Sequence, residues 1–214
     1  MTSLIEILLI EGRYDYITTY ISKLIVSMIK NTDKYDTFDV MFKTVKDVDG
    51  VEVPLIISVD VSIIYNKKFK LDFDMYATSS DDDIKLELVI NPNSLPQSLS
   101  EIIATLKETI RHELEHVAQF NDLRPDSESF EKIIKAPGDP ESKMAQYLLL
   151  KHEVPAFVRG LYKKAKTIKK PLDIVIDDFF KDYKSRLKKS DIPRIKKVWI
   201  QYAKQKLPKA IWSK

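Results

Sequence analysis

The chain predicts an α+β fold: an N-terminal helix, an antiparallel sheet of three to four strands, a helix carrying His-Glu-x-x-His, and then C-terminal helices. Three observations carry this expectation. Apolar residues recur at helical spacing over 13–30. Three stretches between Ile57 and Ile90 alternate apolar and polar residues with period two. After Pro96 the period becomes helical again.

In chain order, the first helix presents Ile17, Tyr20, Ile21, Leu24, Ile25, Met28 and Ile29 as one stripe. An early strand is expected near Phe38–Val45. The alternating stretches are Ile57-Val59-Val61-Ile63, Phe69-Leu71-Phe73-Met75 and Ile84-Leu86-Leu88-Ile90, with polar residues such as Asp60, Asp72 and Glu87 between. Such alternation describes strands with one face in a core and one in water, as in antiparallel sheets. Asn66-Lys67-Lys68 reads as a short turn, and 77–83 as a polar loop. Ser98 and Glu101 make the S-x-x-E signature of a capping box ahead of Ile102, Ile103, Leu106, Ile110, Leu114 and Val117. Residues 121–140, with three prolines and a glycine, read as loop, and 141–152 as helix. Pro155 disfavours α geometry at Val154 and kinks or restarts that helix. Two further helices use Leu172, Val175, Ile176, Phe179, Tyr183 and Leu187, then Ile195, Val198, Trp199 and Tyr202. Asp191 is the expected cap of the last, and Pro193 stands in its first turn.

Composition excludes several chemistries. The 214 residues, 44% hydrophobic and 31% charged, suit one globular domain with an appendage. The absence of cysteine excludes disulfides, cysteine nucleophiles and thiolate metal sites, so a transition metal here must be held by nitrogen and oxygen. No apolar run approaches the ~18 residues of a membrane-spanning helix. The start MTSLIEILLI has no basic region and contains Glu6, so no classical secretion signal is expected, and the expected location is the cytoplasm or a virion. The net charge of +3 hides a polarised chain: residues 1–158 hold 17 basic and 27 acidic residues, whereas 159–214 hold 18 and 5. A basic end of this kind suits solvated helix faces or an anionic partner such as nucleic acid.

His112-Glu113-Leu114-Glu115-His116 falls within the predicted helix after Pro96. Residues four apart lie on one helix face, about 5–6 Å between Cβ atoms, so two imidazoles there can reach one Zn²⁺. Glu113, beside them, is placed to act as general base on a metal-activated water. With only three histidines in the chain, the motif arises by chance about twice in a thousand such sequences, so the pattern carries weight once it sits on a helix. A catalytic zinc needs a third protein ligand. Glu153 is the favoured candidate; His152 and an aspartate such as Asp122 or Asp126 are alternatives, as is no third ligand.

The segment Ile110–Gln119, followed by Glu153-Val154-Pro155-Ala156, resembles the gluzincin zinc peptidases, whose third ligand is a glutamate on a second helix, often as E-x-x-A. The resemblance implies a zinc-dependent endopeptidase with His112, His116 and Glu153 on the metal and Glu113 as base. It also implies a sheet before the motif helix whose edge strand, expected at Ile84–Ile90, binds extended peptide by β-augmentation. No fourth histidine is available to stabilise an oxyanion, so a tyrosine is expected, with Tyr147 and Tyr162 as candidates. The metzincin extension is absent, since Gln119 and Asp122 stand where its glycine and third histidine belong. On this reading 12–166 is the catalytic domain and 167–214 a basic helical extension.

Leu9-Ile10-Glu11-Gly12 resembles the cleavage sites of prohead proteases in large tailed phages. It implies a leader over 1–11 and a peptidase packaged in a phage head. The competing function is a non-catalytic virion or nucleic-acid-binding structural protein, with a structural or vestigial metal site and the lysine-rich end as its contact surface.

Overall fold

The computed structural model describes residues 4–31, 36–48, 51–80, 83–95, 97–119, 132–133 and 135–213. They belong to two compact units, Met1–Ala118 and Gln119–Lys214. The architecture is mixed α and β, as expected. Among the described residues no helix is long and apolar enough to cross a membrane.

The first unit opens with α1 (Leu4–Asn31), which starts well before the predicted stripe and contains the Glu11–Gly12 bond. Ile17, Ile21, Ile25 and Ile29 are buried, as the spacing predicts. The buried hydroxyls of Thr18 and Ser22 donate to the carbonyls of Tyr14 and Thr18, both at 2.7 Å, so neither is buried without a partner. Strands β1 (Asp36–Val48), β2 (Val51–Tyr65), β3 (Phe73–Ser80) and β4 (Asp83–Ile90) form one sheet in the order β1-β2-β4-β3. α2 (Leu99–Gln119) follows. Ile57, Val59, Val61 and Ile63 of β2 and Ile84, Leu86, Leu88 and Ile90 of β4 are buried in one core with the apolar stripes of α1 and α2. Both helices therefore cover the same face, while Asp60, Lys85 and Glu87 point the other way.

Four expectations are corrected. The sheet is mixed, because β2 and β4 run parallel. The strand Ile84–Ile90 is interior, and the edge beside it is β3. Ile90 pairs with Tyr65 on one side and Phe73 on the other, so residues 66–72 step over the end of β4 instead of forming a tight hairpin. That loop spans two strand spacings, about 10 Å, well within its reach. Asn66 accepts from the Lys68 amide at 2.9 Å in the expected turn, and the Asn91 amide donates to Asp72 at 2.8 Å. The alternation assigned to Phe69 and Leu71 belongs to this loop, and residues 77–80, expected as loop, extend β3.

The second unit contains α3 (Pro140–Tyr147), α4 (Glu153–Ile168), α5 (Leu172–Asp182) and α6 (Ile192–Lys206). Asp139 caps α3, accepting from the Ser142 amide at 2.9 Å; the Lys188 ammonium at 2.8 Å and that amide hold its carboxyl far below the usual range. Pro155 lies in the first turn of α4, where no amide donor is needed, so the helix starts at Glu153 instead of kinking there. Lys169 ends α4 in the left-handed region (φ 55°), and the Lys170 amide closes onto Ala165 at 3.1 Å. One core joins α3, α4, α5 and α6 around Trp199, and it runs across the expected boundary at 166/167.

The segment after α6 is held by Asp173, which accepts from the Ser213 amide at 2.9 Å and from its hydroxyl, while the Leu172 amide donates to Ile211 at 2.8 Å. Burial acts to raise the Asp173 carboxyl, but the Ser213 bonds and nearby backbone amides outweigh it and lower it from 3.8. A depressed carboxyl contributes stability above its unfolded value and loses it as pH falls through the folded one. Amide exchange at Leu172 and Ser213 is therefore expected to be slow at pH 6 and to accelerate, relative to the core, below about pH 4. Protection that persists unchanged below pH 3 would refute this latch.

Candidate metal centre

Angular position along α2 separates its roles. Ile110, Leu114 and Val117 face the sheet and are buried. Arg111 and Glu115 lie to one side, joined at 2.9 Å in a buried ion pair, with the Arg111 guanidinium 5.5 Å from the centre of the Tyr14 ring on α1. This pair fixes the rotation of α2 against α1. At 100° per residue, His112 and His116 then fall on the face turned away from the sheet, and Glu113 falls between that face and the core.

The two imidazoles approach each other with Nε2 atoms 3.0 Å apart and ring centres 4.7 Å apart, nearly perpendicular. Two nitrogens on one tetrahedral zinc, each at about 2.0–2.1 Å, lie about 3.3 Å apart, so the observed spacing fits a shared ion with a shift of a few tenths of an ångström. Without an ion, one nitrogen donates to the other. Glu113 is buried, and the Ser79 hydroxyl of β3 donates to its Oε2 at 2.8 Å. The edge strand thus reaches the carboxylate beside the histidine pair. Ser79 falls within 77–83, which its polar composition predicts as loop, so the sequence does not point to it as a site residue. The signal was present: the alternation of Phe73 and Met75 continues through Ala77 to Ser79, which places all four on the α2 side of β3.

In the second unit, His152 and Glu153 open α4, and both are buried. The His152 Nε2 lies 3.6 Å from the Glu153 Oε1. A carboxylate this buried is costly unless paired or bound to a cation, and the positive end of the helix dipole favours it there. Ala156, the last residue of the E-x-x-A match, is completely buried. Of the three ligands that the motif suggests, His112 and His116 lie together on α2 in the first unit, and Glu153 lies on α4 in the second. Asp122 and Asp126 lie outside the described residues. Tyr147 ends α3 with its ring edge-on to Phe157 at 6.0 Å, and Tyr162 lies on α4 with the Lys166 ammonium over its ring at 5.2 Å.

No protein-family model, curated protein or solved structure matches the chain.

Proposed function

We propose that this chain is a zinc-dependent endopeptidase, a reading carried above all by the convergence of the His112 and His116 Nε2 atoms at 3.0 Å on one helix face. By the resemblance of its motif, His112, His116 and Glu153 would hold the ion; two imidazoles and a carboxylate form the donor set of many catalytic zinc sites, and the chain has no thiolate to offer. When bound, zinc would polarise the substrate carbonyl and make water a nucleophile near neutral pH. Glu113 takes the proton of the attacking water and returns it to the leaving amine. Ser79 orients the carboxylate of Glu113 from the edge strand. The outer edge of β3 would pair with extended peptide, bringing the scissile bond beside that same carboxylate.

Purified protein is expected to carry one zinc per chain by elemental analysis and to cleave an unfolded protein substrate, with cleavage stopped by a chelator and restored by zinc. The variants His112→Ala and His116→Ala should each lose the metal. Zinc retained in both, or cleavage indifferent to chelation, would overturn the reading. For Ser79→Ala, the lost bond to a charged acceptor, about 1.5 kcal/mol, predicts a kcat reduced about tenfold with zinc content unchanged. An unaltered kcat would remove Ser79 from the mechanism.

Processing at Glu11–Gly12 is a separate proposal. A protease binds its substrate extended, so the first turns of α1 must unwind before cleavage. N-terminal mass spectrometry of protein recovered from particles would show a chain starting at Gly12; an uncut terminus there would exclude the leader.

A further inference from the structure

The basic residues at the end of the chain are not equally engaged. Lys170 and Lys181 pair with Asp178, Lys188 with Asp139, and Lys196 with Asp177. By contrast, Lys184, Lys189, Arg194, Lys197, Lys206 and Lys209 are exposed, and among the described residues no carboxylate pairs with them. From Tyr183 to Lys214 the sequence has eleven basic residues and a single acidic one, Asp191. α6 has no acidic residue at all.

The exposed side of α6 carries Arg194, Lys197, Gln201, Lys204 and Gln205, and Lys206 is exposed where the helix ends. At 1.5 Å per residue the cations from Arg194 to Lys204 extend over about 15 Å, an axial length along which each strand of duplex DNA presents about four phosphates. The glutamines between them supply neutral hydrogen-bond donors, which also suit phosphate and sugar oxygens. Beyond the helix, the partly exposed Trp212 ring lies 5.6 Å from the Lys204 ammonium, a flat surface on which an unpaired base can stack. Membrane insertion is disfavoured, because the apolar stripe of α6, Ile195, Trp199 and Ala203, is fully buried in its own core. Val198 is the one large hydrophobic side chain exposed on this helix among the described residues. An interfacial helix needs that stripe for the bilayer.

We propose that the exposed face of α6 binds the sugar-phosphate backbone of nucleic acid without regard to sequence. The inference is independent of the metal site. It distinguishes this face from Lys170 and Lys181, whose charges are already met by Asp178.

The test is fluorescence anisotropy of the full chain with a labelled 20-base-pair duplex and a 20-nucleotide single strand, between 50 and 200 mM salt. Binding to either supports the proposal if it weakens about a hundredfold across that range, as about four neutralised phosphates require. The quadruple variant R194Q/K197Q/K204Q/K206Q changes only exposed positions to a residue of similar helix propensity, so it should melt like the parent. It should bind at least tenfold more weakly, with a salt slope reduced by about 3. K170Q/K181Q should bind within twofold of the parent. Binding to neither probe at low salt, unchanged affinity in the quadruple variant, or an equal loss in K170Q/K181Q would overturn the proposal. Tighter binding to phosphatidylserine vesicles than to either nucleic acid would also overturn it.

Discussion

Glu113→Gln is expected to lower kcat/KM for peptide cleavage by about 10²–10⁴ while leaving the zinc content of the protein unchanged. The substitution keeps the shape of the side chain and still accepts from the Ser79 hydroxyl, which now bonds Oε2 of Glu113 at 2.8 Å. It removes the one property the reaction requires, the capacity to take a proton from water and hand it on. Since His112 and His116 project from a different part of the helix surface, ion binding should be untouched. The two readouts together decide the matter. Activity lost with metal retained identifies Glu113 as the base. Full activity in Glu113→Gln with zinc present excludes this mechanism, and loss of both would make Glu113 a structural residue.

The second large effect concerns the fold of the second unit. Trp199→Ala should cost about 3–5 kcal/mol, the range for truncating a buried large aromatic side chain. Trp199 is completely buried; its ring stacks on Phe157 at 5.3 Å and contacts Phe179 and Phe180 at 5.2 and 5.1 Å. Its Nε1–H donates to the Leu148 carbonyl at 3.0 Å, so truncation also leaves a buried acceptor unsatisfied. In a unit of this size each kcal/mol lowers the melting temperature by about 4–8 °C, so the drop should exceed about 12 °C. Trp199→Phe keeps most of the packing and loses the hydrogen bond, and should cost about 1–2 kcal/mol. A Trp199→Ala protein that melts within a few degrees of the parent would show that this aromatic cluster does not hold the helices together.

Much of the fold was legible because period converts directly into face. Ile57, Val59, Val61 and Ile63 alternate, and all four are buried. His112 and His116 are four apart, and their nitrogens meet. Strand order was not legible in the same way. Alternation says which side of a strand meets the core, not which strand lies next to it, and the neighbours of β4 were decided by a loop long enough to cross its end. The same limit hid Ser79: its contact with Glu113 joins residues 34 positions apart, and no local pattern encodes a contact across two elements.

By itself, then, the sequence determined the α+β class, the helix that carries His112, Glu113 and His116, the excess of positive charge after residue 158, and the absence of any thiolate chemistry. These follow from local periodicity and composition. Only the tertiary structure decided that β3 is the edge strand at Glu113, that His152 and Glu153 are buried together at the head of α4, and which lysines keep their charge unmatched. Burial and pairing depend on residues far apart in the chain, and those come together only when the core closes.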